Sequence, residues 1–332
     1  MSEVVTIQGK DAPAQPWRHS RFDIMSDSIL ETPAGDYRWH ENWVSVSNGK
    51  TGHENGRTHG VAVGRDGHVY VFHQAVPAML VYAPEGRLLS GWGNYPGAHG
   101  LTLVEEQGEE YFWLTDQERV VVEKTTTDGE IVAQIAAPAY AADEPYVPTW
   151  VAVNEVRHGG NGDIWVADGY GSNRVSRYDR NGAFVATLDG TEGGGRFDCP
   201  HGIWFDIRKR PVELYVADRG NRRIQVYDAL GRFVRCFGEE FLSNPDCFAV
   251  DGDRLIVPEL LGRVTVLDAS DRLVCHLGAN EEACNSPSWP DKNPIIPGKF
   301  NSPHAAAADA NGNIYVVEWR VGGRIIKLES LG

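Results

Sequence analysis

Residues 200–238 read PHGIWFDIRKRPVELYVADRGNRRIQVYDALGRFVRCFG. Four short segments stand out in them: GIWFD (202–206), ELYVAD (213–218), RIQVYD (223–228) and FVRCFG (233–238). Each alternates polar and apolar residues or is rich in β-branched and aromatic ones, and Gly, Asn or Asp separates them. The unit therefore predicts four antiparallel strands joined by tight turns. Related copies begin at His59, His99, Thr149, Asp246 and His304, so successive anchors lie 40, 50, 52, 45 and 58 residues apart. That period is the one expected of propeller blades.

Six copies predict an all-β, six-bladed β-propeller. The last copy, HAAAADANGNIYVVEW from His304, has room for only three strands before Gly332. The segment NWVSVS (42–47) is expected to supply the fourth, closing the ring and leaving no open sheet edge. The expected organisation is an N-terminal extension over residues 1–37 and a single propeller domain over 38–332.

The chain of 332 residues carries 31 Lys+Arg against 46 Asp+Glu, a formal net charge of −15, with no long basic run. This balance argues against nucleic acid or an anionic membrane as partner and leaves a small-molecule substrate as the expectation. No stretch approaches the roughly 20 apolar residues of a membrane span. The first 30 residues lack the apolar core of a secretory leader. The five cysteines are odd in number and contain no CxxC pair. Together these features give a cytoplasmic expectation. Oligomeric state is not readable.

In a propeller the start of the inner strand, the end of the second strand and the blade-to-blade connection share one face. The inner-strand anchors are His59, His99, Thr149, His201, Asp246 and His304. His99, His201 and His304 come from alternate blades, two, four and six, and are expected to converge on the axis about 120° apart. Three neutral imidazoles with an open fourth position suit a divalent transition metal, zinc first, with iron, manganese or copper as alternatives. His59 breaks the alternation and is expected to face substrate or support a ligand. Asp246 is expected to be a further ligand or to orient a histidine.

The second strands end in His73, Asp116, Asp168, Asp218, Glu259 and Glu318. The aspartates are expected to hold the next turn, while His73 and Glu318 depart from the pattern and are candidates for the site. Beyond them, in DGYGSNR (168–174) and DRGNRR (218–223), Tyr170, Arg174 and Arg219 can lean over the channel mouth. A tyrosine there can move a proton, and an arginine can clamp an anion or steady an oxyanion. The longest connections, near 137–148, 189–199 and 279–302, are expected on the same face as a lid or pocket wall.

The blades resemble NHL repeats, and most closely the peptidyl-α-hydroxyglycine amidating lyase family, over about residues 58–328. The likeness rests on GAHGLTL with WLTD, on VADGYGSNRV, on PHGIWFD with VADRGNRRIQVY, and on NSPHAAAADANGNIYVVEW. It implies a six-bladed propeller with one catalytic zinc on His99, His201 and His304, a catalytic tyrosine at Tyr170 and an active-site arginine at Arg219. The family's second arginine falls on Gln74. The residues flanking its last metal histidine fall on Ser302 and Ala305, so its structural calcium is not expected. The expected function is a metal-dependent lyase acting on a small hydroxylated substrate through a metal-bound alkoxide, with a substrate different from the family's. A metal-dependent hydrolase or hydratase is one alternative, and a non-catalytic NHL-repeat binding propeller is another.

Overall fold

The computed structural model describes residues 28–44, 46, 56–286, 289–291 and 294–332. Six antiparallel sheets follow one another along the chain: 58–92, 98–135, 150–188, 200–237, 249–277, and a sixth formed by both ends of the chain. The inner strands of blades one to six are Thr58–Val63, Ala98–Glu106, Trp150–Val153, Pro200–Asp206, Ala249–Asp251 and Pro303–Ala308. The protein is thus a six-bladed β-propeller, as its repeats predict. The only helices among the described residues are three short 3-10 turns, and none is long and apolar enough to cross a membrane.

Strand periodicity explains how the blades pack. Successive side chains point to opposite faces of a sheet, and a blade has a neighbour on each side. In blade five, Leu255 and Val257 pack with Tyr215 and Val226 of blade four, while Ile256 packs with Val316 and Leu328 of blade six. Second strands are consequently buried on both faces, as in Val69–His73 and Ile164–Asp168. Each fully buried Val, Leu or Ile adds about 1.5–3 kcal/mol.

Closure of the ring differs in register from the expectation. The strand completing blade six is Tyr37–Val44, which pairs with Arg324–Ser330 from Tyr37↔Ser330 to Val44↔Ile325. It starts five residues before NWVSVS; Ser45 and Ser47 lie outside the described residues. Tyr37 and Trp39 alternate inward and are buried, with the Trp39 ring 4.6 Å from Phe300. Arg38 between them, and His40 and Glu41 after them, mask this strand in the sequence. A further strand, Ser28–Leu30, pairs outside it, so residues 28–36 of the expected extension lie against the blade. Glu41 on the closing strand bonds Arg324 Nε at 2.8 Å, and Arg324 reaches Glu318 at 2.7 Å, joining the two ends through buried charge.

Candidate metal centre

The site starts from a two-residue pattern, His-Gly, at the head of an inner strand. A Cβ on Gly100 would come within 2.5 Å of the Thr149 carbonyl oxygen, and one on Gly202 within 2.3 Å of the Asp246 carbonyl oxygen. Only glycine lets the next blade approach so closely. Those two carbonyls are the ones the preceding histidines use. His99 Nδ1–H donates to Thr149 O at 2.8 Å and His201 Nδ1–H to Asp246 O at 2.9 Å. His304 does the same to His59 O at 2.7 Å, across the seam between blades six and one.

A carbonyl only accepts, so each bond fixes the proton on Nδ1 and leaves the Nε2 lone pair free. The rings of His99, His201 and His304 form a nearly equilateral triangle, with centroids 4.8, 4.9 and 4.9 Å apart. The structure therefore brings together the three histidines of the alternate blades. His59 lies beside the His99–His304 edge, its centroid 5.0 and 4.7 Å from theirs. One potential ligand atom from each of His59, His99 and His304 lies within 4.8 Å of the others, so His59 belongs to the cluster as well. His201 is not in that group, and its ring approaches those of His99 and His304 at 4.8 and 4.9 Å.

All four histidines are buried. Burial drives His99 down to about 3, and His59, His201 and His304 well below the ordinary histidine range. The imidazoles are therefore neutral near pH 7, the state in which they bind a metal. His304 Nε2 is buried with no hydrogen-bond partner among the described residues, although buried polar atoms nearly always have one. A neutral, convergent nitrogen set with an orphaned lone pair fits a divalent transition metal.

Tyr170 and Arg219 complete the mouth. Tyr170 Oη lies 3.0 Å from His201 Nε2 and 3.2 Å from His99 Nε2. Arg219 Nη2 donates to Tyr170 Oη at 3.4 Å, and Nη1 to Asp246 Oδ1 at 2.9 Å. Tyr170 is 39% exposed, but its hydroxyl is enclosed by His201, His99 and Arg219, and desolvation there pushes the phenol up to about 12 despite the guanidinium. Full burial raises the Asp246 carboxyl to about 7, with Arg219 opposing the rise. Asp246 therefore orients two site residues at once: His201 through its backbone carbonyl and Arg219 through its side chain.

Other expected residues stand apart from the cluster. Arg174 pairs with Glu144 at 2.7 Å and lies over the Tyr140 ring, because the 137–148 connection offers it a nearer carboxylate than the channel does. Glu318 holds a turn: it accepts from Ser302 N at 3.2 Å and pairs with Arg324. His73 is buried, held at about 4 by desolvation, and accepts from Ala75 N at 3.4 Å. The Gln74 backbone N–H donates to Arg57 O at 3.1 Å. Asp116, Asp168 and Asp218 accept backbone N–H groups, the turn-holding role expected of them.

Trp150 escapes a reading of the sequence. Its ring is 6.4, 6.4 and 6.3 Å from those of His99, His201 and His304. Equal distances place it on the axis of the triangle, one residue deeper along its strand than the anchor Thr149. It forms an apolar floor. The available signal was its place: the residue after the anchor is Gly60, Gly100, Gly202, Cys247 or Ala305 in the other blades.

No family model matches the chain. It is 32% identical over 222 residues to human NHL repeat-containing protein 3, covering 61% of this chain and 62% of that protein. It is 23% identical over 327 residues to peptidyl-α-hydroxyglycine α-amidating lyase 2 of Drosophila melanogaster, covering 84% of this chain and 71% of that one. Among solved structures, streptogramin B lyase superposes with a TM-score of 0.58 at 14% identity, over 91% of this chain and 100% of that chain. At that identity the likeness concerns the fold.

Proposed function

The chain is a six-bladed β-propeller homologous to NHL repeat-containing protein 3 and to the peptidyl-α-hydroxyglycine amidating lyases, and from that premise we propose that it is a metal-dependent lyase acting on a small hydroxylated substrate. One observation carries the reading. The rings of three neutral imidazoles from alternate blades stand 4.8–4.9 Å apart, with Tyr170 Oη within hydrogen-bond reach of two of them.

His99, His201 and His304 would hold the ion through Nε2. When bound, a divalent metal supplies Lewis acidity that makes a substrate hydroxyl easier to deprotonate. The rest is done by the chain's own side chains. Tyr170 is protonated at neutral pH, so it serves as a two-way proton carrier. Its Oη takes the hydroxyl proton from the substrate and passes its own proton to the leaving atom. The bond between the hydroxyl carbon and that atom breaks, its electron pair leaves with the atom, and the hydroxyl carbon becomes a carbonyl. Tyrosine ends as it began. Arg219 fixes the Tyr170 hydroxyl and faces the negative charge that develops on oxygen. Asp246 positions Arg219, and Trp150 seals the channel below.

The test is turnover of a panel of hydroxylated amides and hydroxy acids by wild type, chelator-treated protein and His201→Ala. The reading expects cleavage by wild type that both treatments abolish. Cleavage that survives both would refute it. A wild type that turns over nothing and retains no metal would favour a binding propeller.

A further inference from the structure

His59 stands outside the alternation of blades two, four and six, yet it shares the burial and the strand-head position of the other three histidines. It is buried at 2% exposure, heads an inner strand, and donates Nδ1–H to a backbone carbonyl, Arg57 O, at 3.3 Å. Its Nε2 makes no hydrogen bond among the described residues. Its ring closes a second near-equilateral triangle with His99 and His304, of sides 4.7, 4.9 and 5.0 Å, against 4.8, 4.9 and 4.9 Å for the first. The two triangles share the His99–His304 edge. His59, in blade one, lies across the ring from His201, in blade four.

We infer that His59 is a fourth nitrogen ligand and that the centre is built for an ion taking five or six ligands, such as iron(II), manganese(II), nickel(II) or copper(II), in preference to zinc. Four imidazoles saturate tetrahedral zinc and leave no position for substrate, whereas a five- or six-coordinate ion keeps one or two open. This inference rests on the reading that the cluster binds a metal.

Two measurements test it. Wild-type protein loaded with copper(II) is analysed by pulsed electron paramagnetic resonance, which counts coordinated imidazoles without relying on any variant. In parallel, cobalt(II) is titrated into wild type and His59→Gln, following visible absorption, with thermal unfolding as the check on folding. The inference expects four imidazoles on copper, a cobalt affinity at least about tenfold weaker in His59→Gln, and a changed cobalt spectrum. Three imidazoles, with affinity and spectrum unchanged in His59→Gln, would overturn it and leave the three-histidine reading standing. A wild type that binds neither ion would overturn both.

Discussion

Tyr170 shows how far one side chain commits the chemistry. Its hydroxyl touches two histidines and an arginine, and its phenol is held near 12, so its contribution is to hold and pass a proton. Tyr170→Phe should lower turnover by about 10²–10⁴-fold while metal content, measured by plasma mass spectrometry, stays at the wild-type level. Equal loss of metal would make Tyr170 a structural residue. The buried histidines also set a pH dependence. Their folded-state values lie below the unfolded value of about 6.5, so below that pH the unfolded chain binds more protons than the native one. Metal-free protein should lose up to about 1.4 kcal/mol per histidine per pH unit below pH 6.5, seen as a falling Tm between pH 7 and 5. Asp246, raised to about 7, works in the opposite sense as a single group. A Tm flat over that range would contradict the buried, neutral state of the cluster. At this scale the sequence was legible where position in the repeat decides and opaque where a neighbour decides. The four histidines, Tyr170 and Arg219 follow from their place in the blade. Arg174 is engaged by Glu144, thirty residues away in a connection, a partner that leaves no mark on a repeat alignment. Glu318, by contrast, is engaged by Arg324 just as Asp218 is by Arg223 and Glu259 by Arg263.

Among the elements, the inner strand and the closing strand carry most of the consequence. Gly202 lets the strand of blade five approach until the Asp246 carbonyl meets His201 Nδ1. Gly202→Val should therefore cost about 1–3 kcal/mol by overpacking and weaken metal binding about 10–100-fold by freeing the imidazole. Thermal unfolding and a metal titration measure the two, and an effect on stability alone would detach the glycine from the site. The closing strand makes a sharper comparison. Deleting residues 1–36 removes the outer strand Ser28–Leu30 but spares Tyr37–Val44, and should leave cooperative unfolding intact. Deleting 1–44 exposes Arg324–Ser330 as an edge and strips Glu41 from Arg324, and should abolish a single cooperative transition. Equivalent behaviour of both truncations would mean that the seam is not what holds the ring. The seam was legible as a need for a fourth strand and not as its register. Its inward residues, Tyr37 and Trp39, are separated by Arg38 and followed by His40 and Glu41, so hydrophobic runs point too far downstream.

For the whole molecule, the six-fold repeat converts sequence spacing into directions in space. His99 and His201, 102 positions apart, become neighbours with rings 4.8 Å apart because each lies at the head of an inner strand. That rule makes the ring and its histidine triangle readable before any coordinates. It also explains what stays hidden. Trp150 reaches the axis because blade three carries a large ring where its neighbours carry glycine, and only the assembled ring shows that one ring can stand below three imidazoles. The central claim is that the axis holds a metal, and it is tested most directly by elemental analysis of purified, untagged wild type beside His99→Ala. The account predicts about one iron, manganese, copper, nickel or zinc per wild-type chain and near none in the variant. A wild type without transition metal even after reconstitution, or a variant that retains it in full, would contradict the account.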